Sequence, residues 1–319
     1  MRLNLCKNFL KAKRYVIFFS REKTNQKENN IKKTTRRNFI KTALALGVLP
    51  LSLVAEEKTQ PKKKEEDKTL RFIHITDSHM DLQDEESVEA MENMVAFVNK
   101  KYGNLDFVLF GGDNFNNNVK GNKDALVFKE IISKLHCPSL VVRGNKESNP
   151  NPKDSINLNE FKTLFLDEKL LSVEGKDWVI EKKGYTILGL DSCVEGKNNG
   201  TYTQETIKFA EKILKKGKPT VIMNHHPYTN YWNEKDEKLI HKYVLNNSDE
   251  VQKRLFSYHN LILTLSGHKH IDSVTKIQNV ETIVTRGFVR PLDLDQYPMR
   301  YVEILDGKVN EKLIYTQEV

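Results

Sequence analysis

The chain has 319 residues, 38% hydrophobic and 29% charged, a balance that supplies a folded core and points to a soluble protein. Its formal net charge of +8 is unevenly placed: residues 1–55 hold 13 Lys+Arg against 2 Asp+Glu, and the remainder carries a net −3. The basic character belongs to the N-terminus, so the folded part is not read as a nucleic-acid binder. Three cysteines, Cys6, Cys137 and Cys193, form no CxxC pair, which excludes zinc ribbons and thioredoxin-like motifs; two buried thiols are expected rather than a disulfide.

In chain order, residues 1–34 read as a disordered basic extension, or as the product of an upstream start. "TRRNFIK" at 35–41 precedes the apolar run "TALALGVLPLSLVA", which is shorter than the roughly 20 residues needed to span a bilayer. Small residues at 52–55 fit cleavage after Ala55. Through Thr35, Arg36, Arg37, Phe39 and Lys41 the segment at 35–55 resembles a twin-arginine export signal. That implies the twin-arginine translocation machinery as a partner and a periplasmic or extracellular location, membrane-anchored if the signal stays uncleaved. "EEKTQPKKKEEDK", 56–68, reads as a linker. One domain is expected over 69–319, with no stable membrane span.

Within it, "LRFIHIT" (70–76) reads as a buried strand. Val88, Met91, Val95 and Val98 follow at helical spacing. "LDFVLFGGD" is a strand and turn, Ala125, Phe128, Ile131, Ile132 and Leu135 mark a helix, and "SLVVRGN" is the next strand. A helix near 155–167, strands near 178–181 and 185–191, and a helix at 203–216 follow. "TVIMNHH" and "LILTLSGHKH" are two more strand-to-turn segments, and the tail from 271 to 317 is β-rich. Alternating β and α predict an α/β fold: two mixed β-sheets packed as a sandwich and flanked by helices.

The polar clusters share one place in this rhythm. Asp77 and His79, Asp113, Asn145, His225 and His226, and His268 and His270 each come just after a strand, where open α/β sheets bind ligands. Asp77/His79 and His268/His270 are i, i+2 pairs, which in extended chain point the same way. A carboxylate such as Asp113 can bridge two cations. Asp77, His79, Asp113, Asn145, His225, His268 and His270 therefore suit two metals roughly 3.5–4 Å apart. Imidazole with carboxylate favours Mn, Fe, Zn or Co over Ca or Mg. Two divalent ions less two carboxylates and a bridging hydroxide leave positive charge for a phosphate oxygen, with the hydroxide poised for in-line attack.

"DSH" (77–79), "GGDN" (111–114), "GNKE" (144–147), "NHHP" (224–227) and "GHKH" (267–270) together resemble the five blocks of the calcineurin-like metallophosphoesterases. The resemblance implies that Asp77, His79 and His270 hold one metal, that Asn145, His225 and His268 hold the other, and that Asp113 bridges. His225 takes the ligand place because it lies two residues before Pro227; His226 is then a supporting or substrate-facing residue. Purple acid phosphatases carry a tyrosine ligand three residues after the bridging aspartate. Asn116 stands there, so no tyrosinate–iron centre is expected.

Lys146 stands where the family usually has a histidine that assists the phosphate or protonates the leaving group. Four roles are open. Lys146 donates a proton or pairs with phosphate; His226 substitutes as acid; the protein binds metal and phosphate or nucleotide but turns over slowly; or Lys146 merely points to solvent. The first is favoured, giving an exported phosphatase or phosphodiesterase acting on a small phosphate ester. Loops 146–160, 192–202 and 227–236 are expected around the metals. Tyr228, Tyr231 and Trp232 either stack on a base or, more often in such loops, pack the loop itself. Arg143 and Arg286 are equally phosphate contacts or salt-bridge partners.

Overall fold

The computed structural model describes residues 67–148, 156–289 and 297–316. The expected export signal, its basic extension, nearly all of the linker and part of the 146–160 loop lie outside the described residues. The first half runs β1 (Leu70–Ile75), α1 (Glu85–Lys101), β2 (Phe107–Phe110), α2 (Lys123–Ile132), β3 (Ser139–Val141), the single turn α3 (Asn145–Ser148) and α4 (Leu158–Phe165). Then come β4 (Ser172–Glu174), β5 (Asp177–Lys182), β6 (Tyr185–Gly189), α5 (Gln204–Leu214), β7 (Thr220–Met223), α6 (Glu237–Tyr243) and α7 (Ser248–Leu255). The chain finishes with β8 (Leu261–Ser266), β9 (Ser273–Ile277), β10 (Val280–Val284), β11 (Pro298–Leu305) and β12 (Lys308–Tyr315). No described helix is long and apolar enough to cross a membrane.

The strands form two mixed sheets, ordered β12-β11-β1-β2-β3 and β4-β5-β6-β7-β8-β10-β9. In the first, β1, β2 and β3 are parallel and β11 joins antiparallel to β1. In the second, β6, β7, β8 and β10 are parallel; β5 joins antiparallel to β6, and β4 and β9 form the edges, each antiparallel to its neighbour. The expected sandwich is thus the observed one; the β-rich tail supplies antiparallel β9, β11 and β12, while β4 and β5 are antiparallel additions from earlier in the chain.

Alternation along the central strands builds two apolar layers. Ile187, Val221 and Met223 face a core shared with Phe72, Val108 and Leu140 of the first sheet, whereas Leu188 and Ile222 face α5 and α7 through Ile207, Ala210, Val251 and Leu255. Trp178 on β5 ties the sheets together, its buried indole N–H donating to the Val141 carbonyl at 2.9 Å. The helices start where the side chains let them. Asn157 and Glu160 form a reciprocal capping box on α4, and Thr203 accepts from the Thr206 N–H at the start of α5.

Three elements escape the periodicity argument. The three-residue β4 is too short to show a period. The α6 helix buries none of its residues, and α7 buries only Val251 and Leu255. Neither helix presents the broad apolar stripe that a sequence reading needs. The two thiols also differ: both cysteines are free, Cys193 buried and Cys137 half-buried.

Candidate metal centre

Strands β1, β2, β3, β7 and β8 all end at one rim, and each releases its chain into a tight turn. The turns after β1 and β2 run side by side: Asp77 N–H donates to Gly112 O (3.0 Å), His79 N–H to Asp113 O (2.9 Å) and Met80 N–H to Asn114 O (3.1 Å). The i, i+2 pairs are not extended, contrary to the simplest reading of their spacing. Asp77, His79, Asp113, His268 and His270 have φ of 55°, 42°, 51°, 69° and 60°. Left-handed backbone at non-glycine residues is costly, and concentrated here it marks a place where chain direction matters more than local ease.

These turns bring all seven expected residues together in two groups. In the first, His79 Nε2 and His270 Nε2 lie 3.1 Å apart, and Asp77 Oδ1 sits 3.2 Å from His270 and 3.9 Å from His79. In the second, His225 Nε2 lies 3.1 Å from His268 Nδ1 and 3.3 Å from Asn145 Oδ1. Asp113 spans them, with Oδ1 3.4 Å from His225 Nε2 and Oδ2 3.8 Å from His79 Nε2.

Hydrogen bonds from behind set the direction of the imidazoles. Nδ1 of His225 faces Gly111 O at 3.0 Å and Nε2 of His268 faces Lys242 O at 3.1 Å; a carbonyl only accepts, so both nitrogens carry protons. His79 Nδ1 lies 3.0 Å from Asn116 Oδ1 and is fixed in the same manner. The opposite nitrogen of each ring turns a lone pair inward, the arrangement that orients metal-ligating histidines. Asn116, at the position where a tyrosinate would sit, is thus a support for His79.

The electrostatics agree with a centre that holds positive charge. Burial alone would raise the Asp77 and Asp113 carboxyls. Neighbouring imidazoles, His270 on Asp77 and His225 on Asp113, outweigh it and hold both below the usual carboxylate range. Burial likewise pulls His225 down, but Asp113 and Asp77 lift it to about 9. Burial leaves His268 at about 4. Asp77 Oδ1 is buried without a hydrogen bond, an orphan that a cation would satisfy. Four imidazoles, two carboxylates and an amide oxygen fit borderline divalent ions.

Two glycines let the loops approach. A Cβ on Gly144 would lie 2.1 Å from Asp113 N, and one on Gly267 would lie 2.1 Å from Thr76 Oγ1 and 2.4 Å from Asp77 Oδ2. Glu147 is the clamp that spacing alone did not reveal. Its buried carboxylate accepts from four backbone N–H groups: Gly144 (2.6 Å), Asp113 (3.0 Å), Asn114 (2.6 Å) and Phe115 (3.2 Å). It therefore ties the β2 turn to the β3 turn.

Lys146 and His226 part company. The Lys146 N–H donates to Asp113 Oδ1 at 2.7 Å, while its exposed side chain lines a cleft of about 330 Å³ over the two groups. His226 is fully buried, with Nδ1 2.7 Å from Ser192 Oγ and Nε2 3.1 Å from Asn198 O. Both nitrogens are engaged, and burial pushes its pKa well down. Of the places left open for His226, this geometry fits the supporting one rather than a substrate-facing acid. Its ring instead steadies Asn198, whose Oδ1 accepts from Asn145 Nδ2 at 3.4 Å.

Arg143 is a buried ion-pair partner of Asp191 (2.6 Å) and Glu195 (2.8 Å), so its guanidinium is committed away from the cleft. Tyr228 is buried against Tyr202, their hydroxyls 2.7 Å apart, and Tyr231 donates to Ile271 O; both pack their loop.

A two-sheet α/β sandwich presenting carboxylates and imidazoles at the carboxyl ends of its strands defines a metal-dependent hydrolase class. The calcineurin-like phosphoesterase profile matches residues 70–272, and the chain belongs to that family, which makes it a metallophosphoesterase. A probable glycerophosphodiester phosphodiesterase of Arcobacter nitrofigilis is 31% identical over 141 residues, 44% of this chain and 48% of that protein, so the match spans about half of the relative. A probable cyclic nucleotide phosphodiesterase of Coxiella burnetii is 22% identical over 65% of this chain and 78% of its own. Among solved structures, a dimetal phosphatase from Danio rerio superposes with a TM-score of 0.56 at 14% identity, covering 78% of this chain and 99% of its own. A purple acid phosphatase from yellow lupin gives 0.54 at 10% identity, covering 78% and 52%. These two likenesses support the fold.

Proposed function

We propose that the chain is an exported hydrolase of phosphoric diesters that works with two metal ions. The observation that carries this reading is Asp113, whose two oxygens address the two donor groups separately. Asp77, His79 and His270 would hold one ion, Asn145, His225 and His268 the other, and Asp113 would bridge. When bound, such ions supply the charge that a phosphoryl group needs and lower the pKa of a water. The preference for diesters follows the two curated relatives, both named as phosphodiesterases.

The chain's own residues orient and protonate. Asn116, Gly111 O and Lys242 O fix the three imidazoles, and Glu147 fixes the turns. Lys146, exposed in the cleft beside Asn145, would pair with a phosphoryl oxygen and pass a proton from Nζ to the departing alkoxide. The signal at 35–55 fits export of a protein folded around its ions.

The test is metal content and turnover of the full chain loaded with Mn, Fe, Zn or Co. About two ions per chain are expected, with bis(p-nitrophenyl) phosphate cleaved faster than p-nitrophenyl phosphate. One ion per chain would sink the dinuclear reading. Two ions without turnover would favour the second reading, a metal-loaded phosphate-binding protein, which rests on lysine at position 146. Arg36→Lys with Arg37→Lys should leave the protein in the cytoplasm; unchanged fractionation would refute export.

A further inference from the structure

The cleft has a second feature that the metal chemistry does not use. Lys269 lies between the two histidines His268 and His270, yet its side chain turns to aromatic rings. Its ammonium sits 3.8 Å from the Tyr243 ring centroid and 4.9 Å from that of Trp232. The Lys242 ammonium lies 4.9 Å from the same Tyr243 ring. Tyr243 in turn packs against His268, ring centroids 5.3 Å apart, and Lys242 O is the acceptor that orients His268.

One tyrosine face system therefore fixes two ammonium groups at the rim of the cleft, on a segment bonded to a candidate metal ligand. A cation over an aromatic ring is positioned but not neutralised, because the ring carries no net charge. Among the described residues no carboxylate lies within ion-pair distance of Lys146, Lys242 or Lys269. Glu234, half-buried and already accepting from the Lys235 and Asp236 N–H groups, feels Lys269 only as a minor charge. Lysines that merely solvate a surface keep long, mobile stems. Holding two of them by one ring restricts that freedom and makes sense for a ligand that needs both.

We propose that Lys242 and Lys269 form an anion subsite beside the metal centre, so that the preferred substrate is a phosphoester whose organic part carries a further anionic group. This rests on the phosphoester reading of the site. The phosphoryl group lies against Asp113, Asn145 and Lys146, and the second anion accepts N–H donors from Lys242 and Lys269 across the cleft. A neutral alcohol leaves both ammonium groups without a partner, and a cationic one is repelled.

The experiment compares binding of ω-phosphonocarboxylates of graded chain length with alkylphosphonates of matched length, by calorimetry on the Mn-loaded full chain. The phosphonate does not hydrolyse, so the readout is independent of turnover. At one chain length at least, the carboxylate should bind about tenfold tighter, the scale of two partly exposed ion pairs. That preference should vanish in Lys242→Met/Lys269→Met, return with arginine at both positions, and shrink at high salt. Equal affinity at every length would overturn the proposal, as would a preference that survives the double methionine variant or a failure to bind either ligand. Turnover of bis(p-nitrophenyl) phosphate on the same samples reports separately on the hydrolase reading. A loaded, active enzyme with no carboxylate preference refutes only the subsite.

Discussion

Replacing Glu147 by alanine removes the acceptor of four buried N–H groups, those of Asp113, Asn114, Phe115 and Gly144. At about 2 kcal/mol for each buried donor left unpaired, the loss is about 8 kcal/mol. Part of this is offset. Burial and then the Asp113 carboxylate push the Glu147 carboxyl from 4.5 up to about 7, so at pH 8 the ionised group costs about 3 kcal/mol, which the alanine variant no longer bears. The net expectation is about 5 kcal/mol, a large share of the 5–15 typical of a domain. Glu147→Gln separates the two contributions. It keeps one carbonyl oxygen, gives up two of the four donors, about 4 kcal/mol, and also sheds the charge, so its net cost is about 1 kcal/mol. Urea unfolding of the metal-free chain at pH 8 measures both, and metal content reports whether the β2 and β3 turns still meet. An alanine variant that loses less than about 2 kcal/mol, or a glutamine variant that loses as much as alanine, would refute the idea that this carboxylate joins the turns.

Gly144→Ala and Gly267→Ala should each lower metal content to one ion or fewer per chain, since the added Cβ meets Asp113 N and the Thr76–Asp77 side chains respectively; a variant that loads like the parent would show that the loops can separate without loss. Lys146→Ala should slow esters with poor leaving groups by about 100-fold and spare activated nitrophenyl esters, while Lys146→His restores the former. Equal rate ratios across a leaving-group series would mark Lys146 as a bystander. Asp177 gives a pH prediction away from the metals. Burial raises its carboxyl from 3.8 to about 7, against the Asp191 N–H that it accepts at 2.8 Å. The folded state then holds the proton more tightly than the unfolded chain. The associated stability is complete below about pH 4 and is lost as pH rises through 7. Urea midpoints of Asp177→Asn and parent should therefore diverge between these limits; parallel pH profiles would refute the assignment.

What sequence could show, and what it could not, divides along a physical line. Five strands with polar residues just beyond them were visible as β-branched runs followed by Asp77, Asp113, Asn145, His225 and His268, and the family blocks follow the same rhythm. The supports were not visible, because most of them are backbone atoms. Gly111 O and Lys242 O orient His225 and His268, and any residue offers a carbonyl. Asn116 could be read as the absence of a tyrosine but not as the partner of His79. The left-handed turns were hidden for a related reason: spacing says that Asp77 and His79 can share a direction, and extended chain is the cheapest way to do so. The protein takes the costlier way at five of the candidate ligand positions. At roughly 1–3 kcal/mol each, such conformations persist only where neighbours over-determine them. The neighbours are identifiable: the 77–80 and 112–114 turns bond to each other, Glu147 grips four N–H groups, and Asp77 Oδ2 accepts the His268 N–H at 2.8 Å. The strained turns and the clamps that hold them are thus one device. Its consequence is that donors arriving from five strands meet within hydrogen-bond distance, a convergence that relaxed strand ends would not produce.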